Sequence, residues 1–214
     1  MPTVQQIIDY VNRKYPNQET DANKIIDLDN LHKHLFVEIA KLKNDLIPYN
    51  WDSIAGQLYY SLPDDCTIDN IITLKVSQDT TVTEDTEWNT YEYAGINDDT
   101  TTGYWYGKGV SGTIALLDYD EPIDTSGYTI SMFYYERPNA LDAVTDTPEL
   151  NADYHDLLKF GLIQELAAQG NNPDTEIANY WQAKYDEFMK EVKDSLSDRY
   201  NKAPNQSHQV QEWW

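Results

Sequence analysis

The side chains best suited to catalysis or metal binding are few and scattered along the 214 residues. His32 and His34 lie two positions apart in a predicted helix, so they point to different faces and cannot share a metal ion. Cys66, the single cysteine, has no histidine near it in sequence, and we expect it to pack as a small apolar residue. His155 lies near the start of a predicted helix, where a capping or packing role is expected. These residues predict no catalytic centre and no metal site.

Longer chemical motifs are missing as well. Asp118-Tyr-Asp-Glu121 lacks the alternating acids and central glycine of an EF-hand loop, which leaves only opportunistic cation binding open. The sequence contains no phosphate-binding glycine pattern, no Gly-x-Ser-x-Gly and no His-Glu-x-x-His. With 37 Asp and Glu residues, the choice of any carboxylate pair as acid and base would be arbitrary. The expectation is therefore a protein without cofactor or enzymatic activity.

Helical patterns occupy both ends of the sequence. Thr3 and Gln6 have capping-box spacing before an apolar stripe, which predicts a first helix over about 3–15. A stripe of seven aliphatic residues predicts a second helix over about 22–47, with Asp21 as its N-cap and Pro48 as its stop. Two further helices are predicted over about 152–169 and 173–197, the second with Asn172 as its N-cap. The short loop between them indicates an antiparallel pair.

The region between the helices has a different pattern. From about 54 to 137, short runs of aromatic and β-branched residues alternate with clusters of Gly, Asp, Asn and Thr, which is typical of short antiparallel strands. We therefore predict an α+β fold in which a helical bundle from residues 1–50 and 139–199 carries an inserted antiparallel β-domain, sandwich or barrel-like, over 51–138. Residues 200–214 show no stripe and are predicted to form an extended tail.

The charge of the chain is strongly negative and unevenly distributed. The formal net charge is −22, and residues 61–125 contribute −12 of it, from 2 basic and 14 acidic side chains. Such a surface repels phosphate backbones, which argues against a tight nucleic-acid binder but not against DNA passing by. The sequence has no apolar run long enough for a membrane helix and no signal peptide, so we expect a soluble protein of a reducing compartment, without membrane contact.

Two groups of aromatic residues leave alternatives open. One group flanks a loop in the β-region and could stack on sugar rings, although cross-strand pairing in a small sandwich is the favoured explanation. Its members are Tyr91, Tyr93, Tyr104, Trp105 and Tyr106. The second group, Trp213-Trp214, suits either an anchor for a partner's pocket or a segment that folds back on its own domain.

The order and spacing of ordinary residues resemble the head–tail adaptor (connector) proteins of tailed bacteriophages over nearly the whole chain. The segments that carry the resemblance are Tyr59-Tyr-Ser-Leu-Pro-Asp-Asp65, Phe133-Tyr-Tyr-Glu-Arg-Pro138, Asp146-Thr-Pro-Glu-Leu150, Tyr154-His-Asp-Leu-Leu158, Leu166-Ala-Ala168 and the helix around 180–185. The resemblance implies a virion structural protein of the phage neck, assembled in the host cytoplasm. It implies a homo-oligomeric ring, usually of twelve copies, that joins the portal to the tail or to the next ring (stopper or nozzle) protein.

The resemblance also implies where partners bind. C-terminal segments in that family commonly dock on the portal, so the candidate docking residues are Arg199, Tyr200, Lys202, Val210, Trp213 and Trp214. Acidic loops that face the channel or the tail would let double-stranded DNA pass without specific binding; the candidates are Asp79, Glu84, Asp85, Glu87, Asp98 and Asp99. Two alternative hypotheses are a carbohydrate-binding module or glycosidase built on the acidic aromatic β-domain, and an acidic DNA mimic.

Overall fold

The computed structural model describes residues 1–78, 86–93, 103–110, 112–118, 121–169 and 173–201, except for the side chains of Trp105 and residues 198–201. The chain divides into two compact units: a helical unit from residues 1–44 and 137–201, and a β unit from residues 45–136. Four α-helices and two four-stranded sheets make the fold α+β, which confirms the predicted fold class. Among the described residues, no helix is both long enough and apolar enough to cross a bilayer.

The first two helices begin at side-chain caps. Helix α1 (Val4–Lys14) starts with the predicted capping box, in which Thr3 and Gln6 bond each other's backbone. Helix α2 (Asp21–Lys43) is capped by Thr20 rather than by Asp21, because the Thr20 hydroxyl accepts the N–H of Asn23 and Asp21 is already helical. It ends at Asn44, whose φ of 57° is left-handed, so this helix is shorter than predicted.

The last two helices form the other half of the helical unit. A 3₁₀ turn (Ala152–Tyr154) leads into α3 (His155–Ala168), which is buried on several sides. Helix α4 (Thr175–Asn201) is capped by Asp174, whose carboxylate accepts the N–H of Ile177. The predicted cap at Asn172 lies outside the described residues. All four helices bury apolar faces in one core, formed by Val4, Ile7, Ile8, Val11, Leu28, Leu35, Ile39, Leu141, Leu150, Leu157, Leu158, Leu162, Ile163, Leu166, Met189, Val192 and Leu196.

The β unit contains two sheets. The strands in chain order are β1 (Ile47–Asp52), β2 (Tyr59–Ser61), β3 (Ile71–Ser77), β4 (Asn89–Thr90), β5 (Glu92–Tyr93), β6 (Tyr104–Lys108), β7 (Thr113–Asp118) and β8 (Thr129–Tyr134). The first sheet has the order β1-β8-β3-β4 and is antiparallel. The second has the order β2-β7-β6-β5, and its β5–β6 pair is parallel, so the predicted all-antiparallel domain is corrected to a mixed one.

The two sheets share one hydrophobic core. Inward-facing residues alternate along the strands, as period-2 pleating requires, and the core combines Leu74, Ile130 and Met132 of the first sheet with Tyr60, Ile114 and Leu116 of the second. The described strands form two open sheets and not a closed barrel. Of the two predicted architectures, the structure therefore supports the sandwich.

Candidate docking surfaces

The β unit carries a strong excess of acidic side chains, among them the predicted loop acids. Residues 45–136 contain 2 basic and 17 acidic side chains, a net charge of −15. Glu87 precedes β4 and is exposed. The other predicted loop acids lie outside the described residues: Asp79, Glu84, Asp85, Asp98 and Asp99. The first three belong to the connection between β3 and β4, and the last two to the connection between β5 and β6.

The predicted docking tail begins later than the sequence indicated. Helix α4 continues through Arg199 and Tyr200 to Asn201, so the backbone of these residues is helical rather than extended. The physical reason is the absence of a helix breaker before Pro204, which disfavours helical backbone at the residue before it. The remaining tail candidates lie outside the described residues: Lys202, Val210, Trp213 and Trp214.

The aromatic residues of the second sheet pack against one another. Tyr91 and Tyr106 are buried, with 3% and 7% of their surface exposed. The Tyr91–Tyr104 ring centroids lie 5.4 Å apart and the Tyr93–Tyr106 centroids 5.3 Å apart, both in edge-to-face geometry. This is the cross-strand pairing that we favoured. Of these four tyrosines, Tyr93 alone exposes more than half of its surface, so they do not form the flat exposed platform that sugar stacking requires.

Strand β1 is an exposed edge that our sequence analysis missed. It pairs with β8 along all six residues and with no other described strand. Ile47 and Tyr49 expose 36% and 39% of their surface, and the Tyr49 and Trp51 rings lie 5.4 Å apart. The alternation of Ile47, Tyr49 and Trp51 was a usable strand signal. We had interpreted Pro48 as a helix stop, although proline is tolerated in an edge strand.

Among the described residues, the histidines and the cysteine do not form an active site. His32 and His155 are buried, with 0% and 2% of their surface exposed, whereas His34 is exposed and lies 3.6 Å from Glu38. Burial, with a smaller contribution from Asp65, raises the pKa of the Cys66 thiol to about 12, so the thiol stays protonated and is a poor nucleophile. In the described part of the chain, no group of three or more His, Cys, Asp or Glu residues is placed to hold a metal ion.

Two surface cavities are polar and belong to the helical unit. One, of about 510 Å³, is lined by Gln6, Asp9, Asn12 and Arg13. The other, of about 260 Å³, is lined by Glu19, Asn23, Ile26, Asp27 and Gln169. Burial, and secondarily Glu19, raises the pKa of the Asp27 carboxyl. Neither of these two cavities brings together a nucleophile and a base.

A comparison with models of protein families identifies the family of the chain. No curated protein matches the chain. A family model described as SU10 adaptor protein matches residues 2–208. Because the match covers all four helices and the whole β region between them, the chain belongs to the SU10 adaptor protein family, a family of phage adaptor proteins.

Proposed function

We propose that this protein is a structural ring component of the virion neck, which joins the portal to the tail and lets DNA pass. The observation that carries the proposal is the family match over residues 2–208. A component that transmits contacts between neighbouring rings needs binding surfaces rather than an active site. The protein would then have no enzymatic activity and no cofactor, and its partners would be the portal, a tail or next-ring protein, and further copies of itself, twelve in the full ring.

The negative charge of the β unit supports a role beside moving DNA. With a net charge of −15 over residues 45–136, this unit would repel a phosphate backbone and oppose its adsorption. In the proposed ring, the acidic loops around Asp79, Glu84, Asp85, Glu87, Asp98 and Asp99 face the channel or the tail. DNA would pass along such a surface without being retained.

Portal binding is proposed to reside in the segment that follows α4. Its aromatic residues Trp213 and Trp214 are large apolar anchors in an otherwise polar sequence, and tryptophan is enriched among residues that dominate interface energies. Arg199 and Tyr200, on the last helical turn, lie where that segment begins. Lys202 and Val210 would add contacts on the way to the two tryptophans.

A deletion tests this assignment. Removal of residues 202–214 should leave the far-UV circular dichroism and the unfolding midpoint unchanged, because every described helix and strand is retained. Binding to the portal protein should be lost, as measured by native mass spectrometry of the mixture. Trp213→Ala with Trp214→Ala should weaken binding strongly, while Gln209→Ala with Gln211→Ala in the same segment serves as the matched control. Equal portal binding by the deleted and the full chain would refute the assignment.

A titration with DNA tests the role of the charge. Fluorescence anisotropy of a labelled duplex should show weak binding by the purified protein at low and at physiological salt. The proposal would be refuted by tight binding with an association constant that falls steeply as the salt concentration rises. Such a dependence would show that the protein neutralises DNA phosphates.

A further inference from the structure

Two buried histidines contact the two backbone polar groups of a single residue. His32 comes from α2 and His155 from the first turn of α3, and the residue between them is Leu150, just before the 3₁₀ turn. The N–H of Leu150 donates to Nε2 of His32 at 3.4 Å. The carbonyl oxygen of Leu150 lies 2.6 Å from Nε2 of His155. Two helices thus hold the same residue, one through its N–H and the other through its carbonyl oxygen.

These contacts determine which ring nitrogen carries the proton in each histidine. A nitrogen that accepts an N–H bond cannot itself be protonated, so neutral His32 carries its proton on Nδ1. A carbonyl oxygen can only accept, so His155 carries its proton on Nε2. The Nδ1 atoms of both rings are buried without a hydrogen-bond partner. The two histidines are therefore in opposite tautomeric states.

The same stretch of chain is also held by two carboxylates. Asp29 of α2 accepts the N–H of Leu141 at 2.9 Å. Glu149 accepts the backbone N–H and the side-chain amide of Asn139, at 3.3 and 2.6 Å. Residues 139–150, which we term the tether, connect the β unit to α3. Asp29 therefore joins the tether to α2, whereas Glu149 joins the two ends of the tether to each other.

The middle of the tether also caps α1. The carbonyls of Val144 and Asp146 accept the N–H groups of Gln5 and Val4, at 3.0 and 2.9 Å. These N–H groups belong to the first helical turn and have no partner within the helix. Loosening the tether would therefore also expose the start of α1.

We propose that His32 and His155 form a proton-sensitive clamp on the tether: a proton on Nε2 of His32 turns the acceptor of the Leu150 N–H into a second donor and releases Leu150 from α2. His155 does not act in this way. A proton added at its Nδ1 leaves the Nε2–H bond to the Leu150 carbonyl in place. His32 is thus the titrating element and His155 the anchor that holds Leu150 in register.

The charges around His32 oppose one another. Its burial lowers the pKa of the imidazole from 6.5 to about 4; Glu149 and Asp29 act against this by favouring the charged ring, and His155 and Lys33 reinforce it. The stability that the neutral ring contributes is fully present above the unfolded value of 6.5. It is lost progressively as the pH falls toward 4.

The charges around His155 also act in both directions. Burial is the largest cause and lowers the pKa of this imidazole. The bond to the Leu150 carbonyl and the carboxylate of Asp156 favour the charged ring, whereas Lys159 and the N-terminal amine disfavour it. Both rings are thus kept neutral chiefly by burial, and neither has a carboxylate as a direct partner among the bonds that we describe.

The tautomers provide the first test, on the full-length wild-type chain. Long-range ¹H–¹⁵N correlation spectra near neutral pH should show His32 protonated at Nδ1 and His155 protonated at Nε2. Either ring in the opposite tautomer would overturn the proposal. This measurement does not depend on any variant folding.

Hydrogen exchange at Leu150 provides the second test. With an imidazole pKa of 6.5 when released and about 4 when clamped, the protection factor of the Leu150 amide should fall by on the order of 50-fold from about pH 7.5 to about pH 4.5. The protection factors of core amides in α3, such as that of Leu162, should fall by less over the same pH range. A Leu150 protection factor that does not change over this range would refute the clamp.

Substitution assigns the effect to one ring. In His32→Gln the side-chain oxygen can still accept the Leu150 N–H but does not titrate, so the additional acid sensitivity at Leu150 should disappear. His34→Gln is the matched control, since His34 lies on the same helix with 72% of its side chain exposed, and it should behave as wild type. Unchanged acid sensitivity in folded His32→Gln would show that another group causes the effect and would overturn the role of His32.

Discussion

The contact between α2 and α3 leaves no room for a side chain at Gly161. A Cβ atom at this buried position would lie 2.6 Å from Cδ2 and 3.2 Å from Cδ1 of Leu31. Real Cβ atoms essentially never approach to the shorter of these distances, so Leu31 must move if Gly161 is replaced by alanine. The leucine methyl groups end a flexible, half-buried side chain, and the displacement therefore costs less than a backbone shift would.

Two opposing effects determine how much Gly161→Ala changes the free energy of unfolding. Alanine in a helix interior is favoured over glycine by about 1 kcal/mol, whereas overpacking a close contact costs about 1–3 kcal/mol. We therefore expect a net loss in the free energy of unfolding of about 0–2 kcal/mol. In a Leu31→Ala background the obstruction is gone, and the same substitution should stabilise the protein by about 1 kcal/mol.

Urea unfolding of the four proteins in this cycle measures the coupling directly. The expected interaction energy between positions 31 and 161 is about 1–3 kcal/mol, from midpoints compared at equal m-values. Additive effects, with Gly161→Ala stabilising both backgrounds alike, would show that α2 and α3 do not meet at this point. That result would refute the helix packing on which the tether argument also depends.

Three further predictions concern the helical unit. Lys24→Met should lower stability by about 1–3 kcal/mol in thermal unfolding, because the buried Lys24 ammonium donates to Asn12 and to the Glu19 carbonyl at 2.9 and 2.8 Å and its loss leaves both acceptors unpaired; an unchanged midpoint would contradict this. Asp27→Asn should raise the free energy of unfolding at neutral pH by less than about 1 kcal/mol, because burial and Glu19 raise the pKa of this carboxyl and disfavour its charged form in the folded state. The gain should disappear at acid pH, where Asp27 of the wild type is protonated. A gain that persists at acid pH would have another cause. Thr3→Ala should cost about 1 kcal/mol in urea unfolding through loss of the α1 cap, whereas Thr3→Ser should not.

Local patterns were sufficient for the parts of the fold that depend on near neighbours. The capping box at Thr3 and the apolar stripe of α1 need only three- and four-residue spacing, and both were predicted. Where two adjacent residues compete for one role, the pattern was less decisive: Thr20 and Asp21 are both good caps, and the hydroxyl of Thr20 takes the position. Strand β1 was missed because Pro48 was interpreted as an end, when its neighbours continue into a strand that is completed by β8.

The candidate surfaces and the histidine contacts also differ in how far the sequence predicts them. The acidic character of the β unit and the tryptophan-rich tail are properties of composition and can be read directly. The sharing of Leu150 by His32 and His155 joins residues 118 and 5 positions apart. We had expected His155 to cap or pack, but no local pattern could identify its partner, because that partner is a backbone carbonyl positioned by the packing of α2 and α3.

The sequence by itself determined the helix–strand–helix order, the excess of acid in the middle of the chain and the lack of a catalytic motif, since each of these is a property of residue type and short-range spacing. Tertiary structure alone decided the parallel β5–β6 pair, the burial of the two histidines and the capping of α1 by the tether. The physical reason is that burial and long-range hydrogen bonds depend on which segments meet after the chain has folded. Hydrophobic periodicity indicates which face of a helix or strand is buried, but it does not identify the segment that packs against that face.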